Sequence, residues 1–297
     1  AAAEKLLQNQ MSANTRESAA LRFLYHTAAG RLLLRALCAP ALSRAAGRFL
    51  DTRASRVLIG PFVRQNHIDL SECESADFDS FNACFSRKLK SELRPVDGAP
   101  EHLIAPCDGL LSAYPIARDS VFPAKQSAYS VDALLGGAAE AARFEGGICL
   151  VFRLCVNHYH RYIWFDGGRE TCRRKISGAL HTVRPIALEQ YPVFVQNARE
   201  CTLFESEHFG LAAQIEIGAM LVGKIENHPP RPRVVRGEEK GMFRYGGSTI
   251  VLLLEPGRAA IDARILEAAA RGEETPVRMG QAIGVRADKQ EVEKHVC

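Results

Sequence analysis

Three long apolar runs constrain the fold of this chain more than any other feature. They span residues 147–156, 214–223 and 250–254, and aliphatic side chains dominate each of them. Apolar runs of this length, bounded by glycine, are typical of buried β-strands. The glycines that punctuate the runs favour a tightly curved sheet or a barrel. The sequence therefore predicts a β-rich unit in the C-terminal two-thirds of the protein.

The first 95 residues follow a different pattern. Phe78, Phe81 and Phe85 recur at helical spacing, which predicts a helix with the three rings on one side. The 297 residues suffice for one large or two smaller domains with a packed core. We therefore predict the α+β class, with an N-terminal helical segment over residues 1–95. A β-rich, barrel- or sandwich-like domain, which would carry any catalysis, is predicted over residues 96–297.

Residues 16–56 form a basic segment. They hold eight arginines against one glutamate and one aspartate, with leucines between them. Pro40 is expected to divide the segment into two helices. Such a segment either lies on an anionic membrane or packs on the domain with a solvated arginine face, and the sequence leaves both interpretations open. The arginines are Arg16, Arg22, Arg31, Arg35, Arg44, Arg48, Arg53 and Arg56.

Charge and cysteine content exclude several classes of function. A net charge of +4 is too small to argue for nucleic-acid binding. The nine cysteines are dispersed and show no Cys-x-x-Cys spacing, so neither a disulfide framework nor a zinc site is expected. We expect the cysteines to be reduced thiols of an intracellular protein. Residues 1–20 lack the apolar stretch of a secretory signal. No uninterrupted apolar run reaches about 20 residues, so no transmembrane helix is predicted.

A Gly-Gly-Ser-Thr sequence at residues 246–249 directly precedes the last apolar run. Two glycines free the backbone for strained conformations and leave the Gly247 carbonyl open to close approach. Ser248 places a hydroxyl next to that carbonyl. Most such tetrapeptides are turns before strands. The alternative is that the protein cuts its own Gly247–Ser248 bond.

Several separate segments resemble the phosphatidylserine decarboxylase family. Their order and spacing carry the resemblance, which covers roughly residues 20–290. The segments are Ser80-Phe81-Asn82, Phe85–Lys90, Arg94–Asp97, Pro106-Cys107-Asp108-Gly109, residues 122–136 with Lys125, Tyr129 and Ser130, residues 154–161 ending in His158-Tyr159-His160-Arg161, and residues 237–249.

The resemblance implies a pyruvoyl enzyme that processes itself. Ser248 Oγ attacks the Gly247 carbonyl, the amide becomes an ester, and elimination leaves residue 248 to become a pyruvoyl group. The products are a β chain of residues 1–247 and an α chain of residues 248–297. The pyruvoyl carbonyl then forms a Schiff base with phosphatidylserine and accepts electrons as CO2 departs, which yields phosphatidylethanolamine.

The resemblance also implies which residues activate Ser248. His160 is the expected base, and Asp108 is expected to hold its imidazole in the useful tautomer. Two departures bear on this assignment: His158 stands where many members have aspartate, and Ile163 stands where many have a second histidine. His158 remains an alternative base, because residues two apart share a face of a strand. No third ligand accompanies the His-x-His pair at motif spacing, so no metal is expected.

The implied partners are phosphatidylserine and an anionic membrane surface, with peripheral attachment at the cytoplasmic face of the cell membrane. The two chains are expected to stay together after cleavage, and a homodimer is left open. Two alternatives remain. The same machinery could decarboxylate a soluble amino acid, or the chain could be a non-processing homologue that binds anionic lipid without catalysis.

Overall fold

The computed structural model describes most of the chain: residues 19–38, 40–117, 121–124, 127–137, 139–183, 185–188, 191–219, 224–245 and 248–287. Four residues singled out above lie outside this part of the chain, namely Arg16, Lys125, Gly246 and Gly247. The side chains of Arg35 and Arg44 lie outside it as well.

Helices dominate the N-terminal region, as predicted. A helix begins at Pro40, which confirms the expected division of the basic segment, but a second break occurs at Thr27. The Thr27 hydroxyl donates to the Phe23 carbonyl at 2.8 Å and accepts from the Gly30 N–H at 2.9 Å. The described helices here are α1 (Ala19–His26), α2 (Ala28–Leu37), α3 (Pro40–Leu50), α4 (Ile59–Gln65) and α5 (Phe81–Phe85), with 3₁₀ turns at Arg53–Leu58, Leu70–Glu72 and Ser91–Leu93.

The three phenylalanines do not share one helical face. Ser80 caps α5 by accepting the Ala83 N–H at 3.2 Å, so the helix starts only at Phe81 and Phe78 precedes it. Phe81 and Phe85 pack with Leu50, whereas Phe78 belongs to a separate apolar cluster. All three rings are buried. The prediction of buried rings was right and that of a single face was wrong, because the Ser80 cap sets where the helix begins.

The remaining two-thirds of the protein is β-rich. Among the residues described here, four short helices and one 3₁₀ turn connect its strands: α6 (Val131–Leu135), α7 (Pro185–Leu188), α8 (Val193–Gln196), α9 (Ala263–Ala270) and Ala139–Phe144. The strands are β1 (His102–Ile104), β2 (Gly109–Pro115), β3 (Val121–Ala124), β4 (Ser127–Ser130), β5 (Ile148–Leu154), β6 (Arg161–Ile163), β7 (Gly168–Ile176), β8 (Arg199–Ser206), β9 (Gly210–Ile217), β10 (Ile225–Asn227), β11 (Glu239–Phe243), β12 (Ser248–Leu254), β13 (Ala259–Ile261), β14 (Thr275–Val277) and β15 (Ala282–Arg286).

The main sheet has seven antiparallel strands in the order β14-β2-β5-β12-β9-β8-β7. Every residue of β12 is buried, and β12 lies between β5 and β9. These three central strands correspond to the three apolar runs of the sequence. Smaller sheets of β1-β15-β13, β10-β11-β6 and β3-β4 accompany the main sheet.

The main sheet does not close into a barrel within the described residues. It has two edges, β14 and β7. Pro276 in β14 has no N–H to offer a further strand, and proline is confined to such edges. Strand β7 is half-buried or exposed at every residue after Gly168 and carries five charged side chains, which is typical of a solvated edge. The predicted α+β class, with N-terminal helices and a β-rich domain, is thus confirmed, and of the two forms expected for that domain the closed barrel is not found among the described residues.

The N-terminal helices are pinned to the β-rich domain through Tyr25. This residue is fully buried, and its hydroxyl accepts the Thr182 N–H at 3.2 Å. The Tyr25 hydroxyl and the Cys38 thiol each lie 3.5 Å from His181 Nδ1. One face of the α1–α2 hairpin is therefore held against the loop that follows β7.

Candidate active site

Ser248 is the first residue of β12 and is fully buried. Its Oγ has no hydrogen-bond partner among the described residues. Leaving a buried hydroxyl unpaired costs about 1–3 kcal/mol, so such a group is uncommon in a stable core. The neighbouring strand fixes its position, because Ser248 pairs with Leu154 of β5. The serine is thus a buried strand residue whose hydroxyl is uncommitted in the described structure.

His160 is also fully buried, and its two ring nitrogens differ. Nδ1 lies 2.9 Å from the His158 carbonyl oxygen. A carbonyl only accepts, so Nδ1 carries the ring proton and Nε2 keeps a free lone pair. Nε2 has no partner in the described part of the chain. Burial lowers the pKa of His160 well below 6.5, and the positive charge of Arg87 lowers it further. The imidazole is therefore a neutral base with an open acceptor.

Two contacts bring the stretch before Ser248 against the stretch around His160. The Phe243 N–H donates to the His160 carbonyl at 2.9 Å. The Phe85 ring packs on the His160 ring, with centroids 4.1 Å apart, and on the Tyr245 ring at 5.4 Å. Ser248 itself pairs with Leu154 of β5, six residues before His160. Ser248 Oγ and His160 Nε2 are both buried, and they do not hydrogen-bond to each other in the described structure.

Asn82 fixes the chain immediately before residues 246–247. Its side-chain oxygen accepts the Tyr245 N–H at 3.2 Å. Its amide nitrogen donates to Asp51 Oδ1 at 2.9 Å, and Asp51 directly follows α3. One buried amide therefore ties the N-terminal helices to the segment that leads into Ser248.

Asp108 does not contact His160. Its carboxylate receives both Arg94 Nε and Nη2, at 2.7 and 2.5 Å, and the Met279 N–H at 2.9 Å. The expectation that Asp108 holds the His160 tautomer is therefore wrong, and the His158 carbonyl does so instead. Close packing explains why residue 109 is a glycine, since a Cβ atom added there would lie 3.2 Å from the Arg153 carbonyl oxygen.

Asp108 and His158 line a common cavity of about 330 Å³. The Cys155 N–H donates to His158 Nδ1 at 3.1 Å, so the proton of the neutral ring is on Nε2. Burial lowers the His158 pKa to about 4, against the opposing charge of Asp108. His158 and His160 are thus held in opposite tautomers by backbone groups. Only His160 offers Nε2 as an acceptor.

Comparison with known proteins decides the family. The family model described as phosphatidylserine decarboxylase matches residues 81–285, well over half of the chain. The chain belongs to the phosphatidylserine decarboxylase family.

Relatives of this family resemble the chain over nearly its whole length. Phosphatidylserine decarboxylase proenzyme 2 of Clostridium acetobutylicum is 40% identical over 269 residues, which cover 90% of this chain and 92% of the relative. The proenzyme of Ruminiclostridium cellulolyticum is 40% identical over 276 residues, covering 91% and 92%. That of Chlamydia muridarum is 40% identical over 275 residues, covering 91% of each. Members of this family are carboxy-lyases, and these relatives are named as proenzymes.

Ile163 occupies the place at which many decarboxylases of this family have a second histidine. It lies in β6, is almost fully buried, and pairs with Glu239 of β11. Its side chain offers neither a proton nor a lone pair. Any proton transfer near Ser248 in this family member therefore falls to another residue.

Three polar residues of this decarboxylase site were quoted in the sequence motifs without a role. Asn82 holds the backbone at Tyr245, Arg94 holds Asp108, and Arg87 lines the cavity. The signal available in the sequence was that each stands in a family segment. Lys240 and Glu216 form a further buried ion pair, with Nζ 2.6 and 2.7 Å from the two carboxylate oxygens. Lys240 also stands in a family segment, whereas Glu216 does not.

Proposed function

We propose that this protein is a self-processing phosphatidylserine decarboxylase, with Asp108, His160 and Ser248 as its functional residues. The observation that carries the proposal is the pair of unpartnered buried groups, Ser248 Oγ and His160 Nε2. A hydroxyl is a poor nucleophile near neutral pH and needs an adjacent base. The neutral imidazole of His160, with Nε2 free, is suited to take its proton.

Self-cleavage follows from these groups in balanced steps. His160 Nε2 takes the Ser248 proton while Oγ attacks the Gly247 carbonyl. His160 then returns that proton to the Ser248 nitrogen as the nitrogen leaves the carbonyl carbon, and the peptide bond has become an ester. Loss of the Ser248 α-proton then expels the carboxylate that ends the β chain at Gly247. Water adds to the resulting dehydroalanine in its imine form and ammonia departs, which leaves a pyruvoyl group at position 248.

The surroundings of residue 248 fit a covalently held group of this kind. The position is fully buried, and its side chain is not committed to another hydrogen bond in the described structure. Strand β12 pairs along its length with β5 on one side and β9 on the other. These ladders would retain an α chain of residues 248–297 after cleavage. Once formed, a pyruvoyl group supplies an electrophilic carbonyl that accepts electrons as CO2 leaves.

Asp108 has a different task in this proposal from that of a triad aspartate. Its carboxylate joins Arg94 to the backbone of Met279 and forms part of the cavity wall beside His158. We propose that it shapes the substrate cavity and balances the Arg94 charge there. Its removal would leave Arg94 without that carboxylate and would disturb two segments of the wall.

An anionic bilayer is the docking surface that we propose for the N-terminal helices. Leu32 is 70% exposed and Val57 is 74% exposed, and Phe23, Leu33 and Phe49 are each about half exposed. Exposed arginines accompany these side chains, namely Arg22, Arg31, Arg48, Arg53 and Arg56. An apolar surface with a basic surround is typical of a segment that rests in the headgroup region of an anionic membrane.

The docking that we propose is peripheral and on the cytoplasmic face of the cell membrane. Among the described residues, no helix has both the length and the apolar character needed to cross a bilayer. The eight cysteines in that part of the chain are free thiols, which suits a reducing compartment.

Replacing Leu32 and Leu33 by serine is expected to reduce binding to phosphatidylserine vesicles by at least tenfold. Burial of a leucine contributes about 1.5–3 kcal/mol, and a loss of about 1.4 kcal/mol already corresponds to a tenfold change. Vesicle sedimentation measures the effect. The matched control is Val235→Ser, because Val235 is 62% exposed and lies in the β-rich domain. Equal binding of the double variant and the wild type would rule out this docking face.

The test of the proposed function combines intact-mass spectrometry with CO2 release. We expect a 50-residue α chain with about one sixth of the mass of the 32.6 kDa chain. The mass of its first residue should be that of a pyruvoyl group. We also expect CO2 from phosphatidylserine vesicles and none from free serine. Release from free serine instead would favour a soluble substrate. A single uncut chain without activity would refute the proposal.

A further inference from the structure

Arg87 is a buried cation without a matching anion. Arg87 is 5% exposed and lines the 330 Å³ cavity. Nη2 donates to the Asn157 carbonyl at 3.2 Å and Nη1 to the Phe85 carbonyl at 3.4 Å, which are both long for a charged donor. Nε has no partner among the described residues. Burial lowers the Arg87 pKa, as expected for a cation removed from water.

Other buried arginines of the protein are better satisfied. Arg94 is held by Asp108, and Arg153 by Glu274. Arg199, which is also 5% exposed, lacks a carboxylate but donates to four carbonyl oxygens at 2.6–3.1 Å. Arg87 has neither arrangement. Burying a guanidinium with a free N–H is costly, so its position calls for a ligand.

The charged groups around the cavity leave Arg87 as the unbalanced charge in its buried part. The lining contains the cations Arg87, Arg94 and Arg278 and the anions Asp69, Glu72 and Asp108, together with His67 and His158. Arg94 and Asp108 pair with each other. Arg278, Asp69 and Glu72 are exposed and face solvent at the cavity's outer part. The buried wall therefore presents one net positive charge.

The position of Arg87 connects the cavity to the proposed base. Phe85, two residues earlier, packs on the His160 ring, and Ser86 accepts Arg161 Nε at 2.9 Å through its carbonyl. The Arg87 charge also acts on His160, whose pKa it lowers. An anion bound at Arg87 would thus lie beside the segment that carries His160.

We infer that Arg87 binds the phosphodiester of the substrate headgroup, an inference that rests on the proposed function. A guanidinium offers paired N–H donors that match phosphate oxygens. The serine carboxylate is the poorer candidate, because it must become neutral CO2. A cation on it would stabilise the ground state more than the transition state. Holding the unreactive phosphate instead uses binding energy to position the headgroup without opposing the reaction.

The experiment measures binding of two soluble probes by calorimetry. Glycerophosphocholine carries a phosphodiester but no carboxylate and no primary amine. N-acetylserine carries a carboxylate but no phosphate and no primary amine. Neither probe can condense with a pyruvoyl carbonyl, so the measurement is independent of that chemistry. The variants are Arg87→Met and Arg87→Lys, with Arg264→Met as the control, since Arg264 is exposed and pairs with Asp262, the residue that caps the start of α9.

Arg87→Met is expected to weaken glycerophosphocholine binding at least tenfold and to leave N-acetylserine binding unchanged. Charged hydrogen bonds contribute about 1.5–3 kcal/mol each, which corresponds to tenfold or more. The affinity of Arg87→Lys for glycerophosphocholine is expected to lie between those of the wild type and Arg87→Met, because lysine keeps the charge and loses the paired donors. On phosphatidylserine vesicles, KM should rise in both variants while kcat changes little.

Several results would overturn the inference. Unchanged glycerophosphocholine binding in either Arg87 variant would do so, as would a loss confined to N-acetylserine. If Arg87→Met fails to fold, the Arg87→Lys result alone decides between these outcomes. Mass spectrometry of the wild type tests the proposed function separately. An uncut chain would refute that function whether or not the two probes bind.

Discussion

Ser248→Ala is expected to leave one uncut chain of 32.6 kDa with no decarboxylase activity. Alanine keeps the backbone of β12 and removes the hydroxyl that we propose as the nucleophile. The removed hydroxyl has no hydrogen-bond partner in the described structure, so the substitution should not destabilise the core. A denaturing gel and intact-mass spectrometry report cleavage, and CO2 release from phosphatidylserine vesicles reports activity.

Thr249 provides a matched control for this experiment. Its hydroxyl is also buried and without a partner in the described part of the chain, and it lies one residue further along β12. Thr249→Val removes that hydroxyl at nearly constant volume, and cleavage should persist at position 248. Cleavage of Ser248→Ala would show that Ser248 is not the nucleophile. Loss of cleavage in Thr249→Val, with cleavage retained in Ser248→Ala, would lead to the same conclusion.

The centre of the fold was predictable because its strands are buried on both faces. Burial on both sides produces the continuous apolar runs that became β5, β9 and β12. The edge strand β7 is half solvated and rich in charge, so it left no such run in the sequence. The open form of the sheet depends on features as local as Pro276, which a pattern of apolar runs does not report.

A sequence can point to site residues only where side-chain identity determines the chemistry. Ser248 was predicted from the Gly-Gly-Ser-Thr sequence and the family segments, and His160 from those segments with His158 as the alternative; their roles stay predictions. The group that orients His160 is a backbone carbonyl, and every residue has one, so no sequence pattern could mark His158 for this role. Family analogy instead pointed to Asp108. The Arg94 guanidinium binds that carboxylate from 14 residues away, and only folding brings the two together.

The two histidines allow a second test with a large expected effect. His160→Gln should reduce the rate of self-cleavage by about 10²–10⁴-fold, the usual contribution of a general base. Glutamine can still donate to the His158 carbonyl but offers no basic nitrogen. His158→Gln should leave cleavage within a few fold of the wild type, because His158 Nδ1 accepts the Cys155 N–H and its Nε2 carries the proton. A time course of fragment appearance on gels measures both rates.

The pH dependence of cleavage tests the same assignment without a substitution. A base acts only when it is neutral, and burial lowers the His160 pKa well below 6.5, so His160 stays neutral at pH values where a solvated histidine is half protonated. The cleavage rate should therefore be level from pH 8 down to 6.5 and should fall only under more acidic conditions. A rate that halves near pH 6.5 would indicate a solvated histidine as the base.

The two variants give the contrary outcome directly. If His158→Gln failed to cleave while His160→Gln cleaved, the base would be His158 instead of His160.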